Sequence, residues 1–353
     1  MSLDTLRDRL QTLLRLPGPS GRETTIADHL ARLWGPLADE VRRSPLGSVH
    51  ALKGGQGPDP RPKVLLAAHM DTIGLIVSHI EGEFLRVQPI GGLDPRVLPG
   101  QPVVVQGREP IPGLLVAPPD HLLPPDLRGK PVPVGHLLVD TGLPARRLRR
   151  LVQVGAPITF GTAPTSLEGD LLRGPGLDNR ASVAVLTEVL EALRGRPHRW
   201  DAVFVATVQE EETLGGALTS AFAERPQVAV AVDVTFATGP GVGEDKGFPL
   251  GEGITLGWGP NIHPALHRRF KALAEALEIP HQVEYLPTHS GTDAMALQVT
   301  AEGMPSMVVS IPLRYMHTPV ETVSLKDVRR AARLLAEFVL TLEAETPWLT
   351  WEE

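Results

Sequence analysis

Residues 64–71 read Val64-Leu65-Leu66-Ala67-Ala68-His69-Met70-Asp71. Five apolar residues in an unbroken run, with no alternation, mark a short strand buried on both faces. Such strands sit in parallel sheets covered by helices, so this stretch points to an α/β fold. Working outward, apolar residues recur every three or four positions over residues 3–16 and 24–34, with Pro17-Gly18-Pro19-Ser20-Gly21 between them. That spacing predicts two helices and a tight loop. After Asp178 the pattern predicts a helix over 181–193, a strand over 202–208, a helix near 214–222 and a strand over 228–232. It continues with a helix near 263–277, a strand near 282–286, a helix after Asp293, a strand over 307–311 and a closing helix over 325–342. The expected fold class is α/β, with a doubly wound, mixed and mostly parallel sheet.

Between about Gly74 and Pro164 the texture changes. Leu85-Arg86-Val87-Gln88-Pro89-Ile90, Val103-Val104-Val105 and Leu114-Leu115-Val116 are short β-like pieces broken by Gly and Pro, with little helical periodicity. An inserted β-rich domain over 74–164 follows. Residues 1–73 and 165–353 then form one discontinuous α/β domain.

The composition narrows the chemistry. The 353 residues carry 34 Lys and Arg against 41 Asp and Glu, a formal charge of −7. Nucleic-acid binding needs a clustered positive surface, so nucleic acid is not an expected partner. With 42% hydrophobic and 21% charged residues a sizeable core is available. No apolar run approaches the roughly 18 residues of a membrane span. The N-terminus places acidic residues where a signal peptide needs an apolar run, so no membrane partner and a cytoplasmic location are expected. Cysteine is absent, which removes disulfides, thiolate metal sites and cysteine nucleophiles. Any metal falls to His, Asp and Glu.

Ligands of open α/β sheets bind beyond the carboxyl ends of the strands. The run 64–68 leads into His69 and Asp71, 202–208 into Glu210 and Glu211, 228–232 into Asp233, and 307–311 shortly to His317; Asp178 stands just before a helix. Each alone has a plain structural reading, Asp178 as a helix N-cap and the Glu210-Glu211-Glu212 run as a solvated loop. Together they gather carboxylates at one rim, a costly arrangement without a cation. Two His and three carboxylates suit zinc, cobalt or manganese better than calcium or magnesium. Asp71 is read as orienting His69 through its other ring nitrogen. The Glu210-Glu211 pair lets one side chain bind metal while its neighbour remains a free base. His121, His263 and His289 lie in or beside loops away from strand ends and are read as structural or surface residues.

Seven segments then resemble a known family: Pro19-Ser20-Gly21-Arg22-Glu23, residues 69–74, 177–180, 208–211, 232–234, Gly291-Thr292-Asp293-Ala294 and 311–321. They are similar to the tetrahedral (TET), glutamyl or deblocking aminopeptidases of the dinuclear metallo-exopeptidase group. The resemblance implies a zinc-exopeptidase-like catalytic domain and two divalent ions per subunit, zinc or cobalt, roughly 3.5–4 Å apart. It implies His69 and Asp233 on one metal, Asp178 as the bridge, Glu211 and His317 on the other, and Glu210 as general base. Asp71 is the accompanying catalytic carboxylate, and Arg314, Tyr315, Gly291 and Thr292 are candidate substrate contacts. It further implies peptide substrates, a β-barrel-like insert used for dimerisation and gating, and a dimer-based homo-oligomer reaching a tetrahedral dodecamer. The chain departs from the family pattern at Glu212-Thr213, where Val-Gly is usual, at Ser290, and at Leu313, where Cys is common. The competing readings are a carboxypeptidase or amide deacylase using Arg180 or Arg314 for a substrate carboxylate, a glycoside hydrolase, and a non-catalytic assembly protein.

Overall fold

The computed structural model describes residues 2–243, 246–343, 345–346 and 349. The opening strand runs Lys63–His69, with every residue after Lys63 buried. It pairs in parallel with Asp201–Thr207 on one side and Val228–Phe236 on the other, and Val228–Phe236 pairs in parallel with Ser306–Arg314. These four strands form the centre of an eleven-stranded mixed sheet among the described residues. Antiparallel strands extend both edges: Val49–Lys53 and Glu40–Arg43 beyond Asp201–Thr207, and Thr322–Ser324, Leu171–Arg173 and Thr165–Ser166 beyond Ser306–Arg314. Ile254–Trp258 joins Ser306–Arg314 antiparallel and carries His281–Tyr285.

Leu177–Ala192 packs on Lys63–His69 and Val228–Phe236, and beside it lie Leu3–Leu14 and Leu325–Leu340. Gly215–Glu224 also packs on Lys63–His69 but meets Ala294–Gln298 instead. Helices thus cover the central strands from two sides, which is why those strands are apolar throughout. No helix among the described residues is long and apolar enough to cross a membrane.

Gly74–Glu81, Phe84–Ile90, Pro102–Gln106, Pro110–Val116, Leu138–Asp140 and Pro157–Phe160 close into an antiparallel barrel. Its core is separate from that of the large sheet and is built on Leu75, Val87, Val105, Leu115, Val139 and Ile158. Closure leaves no free edge.

Several elements differ from the sequence expectation. The strand expected to stop at Val232 continues to Phe236, and that expected over 307–311 continues to Arg314. Asp233 therefore lies within its strand, not past its end. The inserted segment contains a helix, Ala145–Leu151, with Leu148 its buried residue. A single apolar anchor among four arginines leaves no periodicity to read. Ile254–Trp258 was not anticipated, because Gly257 interrupts a pattern only five residues long.

Candidate metal centre

The parallel register sets the strand ends level. Thr207 lies opposite His69, so the chain leaving Asp201–Thr207 brings Glu210 and Glu211 beside that imidazole. Asp233 enters from the next strand, His317 from the turn after Ser306–Arg314, and Asp178 from the first turn of Leu177–Ala192. There Asp178 and Asn179 are not helical, and the peptide bond between them is cis.

The two oxygens of Asp178 face different histidines. Its Oδ1 lies 3.1 Å from His69 Nε2 and its Oδ2 3.4 Å from His317 Nε2. Asp233 Oδ1 stands 3.9 Å from His69 Nε2, and Glu211 Oε2 3.4 Å from His317 Nε2. Two convergent groups result, His69 with Asp178 and Asp233, and Asp178 with Glu211 and His317, each with its ligand atoms within 4.8 Å of one another. That spacing is close enough to hold a metal ion. Glu210 belongs to neither group; its Oε2 is 3.8 Å from His69 Nε2.

Buried carboxylates that accept from the main chain hold these side chains in place. The Asp71 carboxylate accepts the N–H of Glu210 at 3.1 Å and of Glu211 at 3.2 Å, and its Oδ1 is 3.6 Å from His69 Nδ1. Asp71 thus fixes the glutamate pair as well as facing the imidazole. Glu321 accepts the N–H of Asp178 at 3.1 Å and of His317 at 3.0 Å. Glu23 accepts the N–H of Gln209 at 3.1 Å. Gln209 and His317 both have left-handed backbones, φ 59° and 61°, which non-glycine residues adopt at a cost the surroundings must offset. Glu23 and Glu321 carry no sequence signal of these roles, because their partners are main-chain groups.

The electrostatics are those of crowded acids. Burial pushes Glu210 up to about 8 against the pull of His69, with Asp293, Asp178 and Asp71 adding repulsion. Burial, then the charge of Asp178, pushes Glu211 up to about 10. Burial also holds Asp233 and Glu321 well above the usual carboxylate range. Asp178 alone is held far below it, because its bonds to His317 and His69 outweigh burial. Burial disfavours a charged His69, but the Glu210 charge and the bonds to Asp178 and Asp71 raise it well above the ordinary imidazole value. Glu211 Oε1 is buried and has no hydrogen-bond partner among the described residues.

The barrel reaches this centre through the loop after Phe84–Ile90. A Cβ on Gly91 would meet Glu211 Oε2 at 3.3 Å, and one on Gly92 would meet His317 Nδ1 at 2.9 Å. Only glycine permits that approach. The Gly91 N–H donates to Glu212 Oε1 at 2.7 Å, so the departure from the family pattern at Glu212 is a tie to the barrel.

A cleft of about 370 Å³ opens over the cluster. His289, read from sequence as a structural or surface residue, is exposed and also lines the cleft. Gly291 also lines it. Thr292 is buried beside Ser290 Oγ, Arg314 donates to the Thr238 carbonyl, and Tyr315 is exposed; none of these three lines the cleft.

A family model described as M42 glutamyl aminopeptidase matches residues 47–334. The chain belongs to the M42 glutamyl aminopeptidase family. A relative named lysyl aminopeptidase, from Pyrococcus furiosus, is 36% identical over 342 residues, covering 92% of this chain and 94% of the relative. Among solved structures, a TET aminopeptidase from a marine sediment thaumarchaeote is 32% identical, with TM-score 0.90, over 96% of this chain and 97% of the other. The TET1 peptidase of Pyrococcus horikoshii is 28% identical, with TM-score 0.84, over 96% of this chain and 100% of the other; it is described as able to assemble into a tetrahedron or a large octahedral shell. As an M42 member the chain is a peptide-bond hydrolase, and its relatives place it among the aminopeptidases.

Proposed function

We propose that the protein releases N-terminal residues from peptides with the aid of two divalent cations and Glu210 as general base. The observation that carries this reading is Asp178 facing both histidines with separate oxygens while Glu210 stands outside both groups. His69 and Asp233 would hold one cation, Glu211 and His317 the other, with Asp178 shared. The fit is supported by the unpartnered Glu211 Oε1 and by the buried, mutually repelling acids, whose charge a cation offsets. A mixed imidazole and carboxylate set suits zinc or cobalt. Bound there, such ions act as Lewis acids toward the scissile carbonyl and bring the pKa of water toward neutrality. Glu210 takes the proton from water and hands it to the leaving amine, Asp71 keeps the glutamate pair in register, and Glu321 keeps Asp178 and His317 there.

Among the described residues no Lys or Arg lines the cleft, which disfavours a carboxypeptidase. Arg180 is buried and donates to the carbonyls of Leu13 and Leu16, both at 2.6 Å. A free-amine aminoacyl anilide should be cleaved, an N-acylated one spared, and two metal ions per chain found by elemental analysis. Cleavage of the N-acylated substrate, or full activity after chelation, overturns the reading.

Residues 1–73 and 165–353 act in this reading as the catalytic domain and 74–164 as a dimerisation and gating domain. Exposed Phe84, Leu114, Leu122 and Val154 on the insert support its use in assembly. A dimer-based tetrahedral dodecamer is the assembly proposed, supported by likeness to one solved structure described as a dodecamer and another described as able to assemble into a tetrahedron.

A further inference from the structure

Once the proposed metal and base residues are set aside, the cleft wall consists of Leu214, Val234, His289, Gly291, Met295 and Met316. Three of these sit beside the cluster in sequence: Leu214 three residues after Glu211, Val234 directly after Asp233, and Met316 directly before His317. Apolar side chains therefore border the cluster within the same cleft. Met295 comes from Ala294–Gln298, and its sulfur accepts the Gly291 N–H at 3.3 Å. A peptide whose first bond lies over the cluster has to lay its first side chain against this wall.

We propose that this aminopeptidase selects apolar N-terminal residues of leucine or methionine size over acidic and basic ones, with Leu214, Met295 and Met316 setting the choice. The proposal rests on the aminopeptidase reading above. An acidic first side chain finds no guanidinium or ammonium among the described lining residues, and beside the His289 imidazole it meets four carboxylates that repel it, so its removal from water is disfavoured. A basic one finds only Asp178, Glu210, Glu211 and Asp233, the carboxylates already committed to the cations and to proton transfer. A leucine or methionine side chain finds apolar surface on several sides, and the unbranched thioethers of Met295 and Met316 adapt to its shape. The selectivity so derived differs from that in the name of the lysyl relative and from that in the family's description.

The test compares kcat/KM on the anilides of leucine, methionine, glutamate and lysine with the metal-loaded enzyme. Leucine and methionine should exceed glutamate and lysine by about tenfold or more. Glutamate or lysine matching leucine overturns the proposal while leaving the aminopeptidase reading intact; no turnover of any free-amine anilide overturns both. Calorimetry supplies a readout without turnover, using amines that keep the side chain and lack the α-carboxyl: 3-methylbutylamine should bind, and 4-aminobutyrate and 1,5-diaminopentane should not. Met295→Arg, with Met316→Arg as a second variant, should raise the glutamate-to-leucine ratio about tenfold or more. An unchanged ratio in both folded variants shows that the first side chain lies elsewhere and overturns the assignment.

Discussion

Glu210 and Glu211 are neighbours in sequence with opposite expected fates on substitution. Glu210→Gln should keep both metals and lose about 10²–10⁴ in kcat, the range for removing a general base. Glu211→Gln should lose metal from the group it shares with His317. Elemental analysis beside steady-state kinetics separates them, and metal loss in Glu210→Gln would mean the two roles are exchanged. The residues that converge were legible because each follows or abuts an apolar run, and the sheet register turns those positions into one rim. Glu321, Glu23 and Asp293 were not. They accept from backbone N–H groups or from Thr207 Oγ1, and a carboxylate that bonds the main chain leaves no spacing to read. That the exposed His289 also borders the cleft was not legible either, because loop residues carry no periodicity.

Among the elements, a second ionic cluster, buried at Glu224 and His50, ties Gly215–Glu224 to the sheet. Glu224, at the end of Gly215–Glu224, pairs with Arg42 on Glu40–Arg43, with His50 Nδ1 at 2.8 Å and with Lys63 Nζ at 3.2 Å, while His50 Nε2 meets Ser220 Oγ at 3.1 Å. Burial opposes its ionisation, but the bonds to His50 and Lys63 prevail and bring it from 4.5 down to about 2. A lowered folded pKa gives stability that is present above about 4.5 and lost as pH falls through about 2. Glu224→Gln should therefore be less stable than wild type by about 2 kcal/mol at pH 7, with the gap closing by pH 2. Denaturant melts at pH 7, 4 and 2 check this, and a gap independent of pH would refute it. The loop between barrel and cluster yields another expectation. Gly92→Ala pushes a methyl against His317 Nδ1, so its metal content or kcat should fall about tenfold or more, whereas Gly135→Ala on the same insert, whose added methyl would meet only the flexible end of Gln88 at 3.4 Å, should leave both unchanged. Equal behaviour of the two would dismiss the contact. At this scale the central strands were readable because burial on both faces leaves an unbroken apolar signature. The edge strands Glu40–Arg43 and Thr165–Ser166 were not, since they are half-buried or exposed and only two to four residues long.

For the whole molecule, light scattering should give a particle near twelve times the 38.0 kDa chain; a monomer at micromolar concentration would remove the dodecamer. Chelation should lower the melting temperature, because ligands that bind only the folded state stabilise it, and restoring zinc or cobalt should return it. An unchanged melting temperature after verified metal removal would argue against a cluster that shares its ions with the folding equilibrium. The path of Gly91 and Gly92 against Glu211 and His317 has one more consequence. Any tilt of the small β-module would jostle two of the donors, so a sister subunit that gripped this module in the assembly proposed above would tug, through residues 91–92, on the chemistry itself. Quaternary contacts and turnover would then share one mechanical linkage.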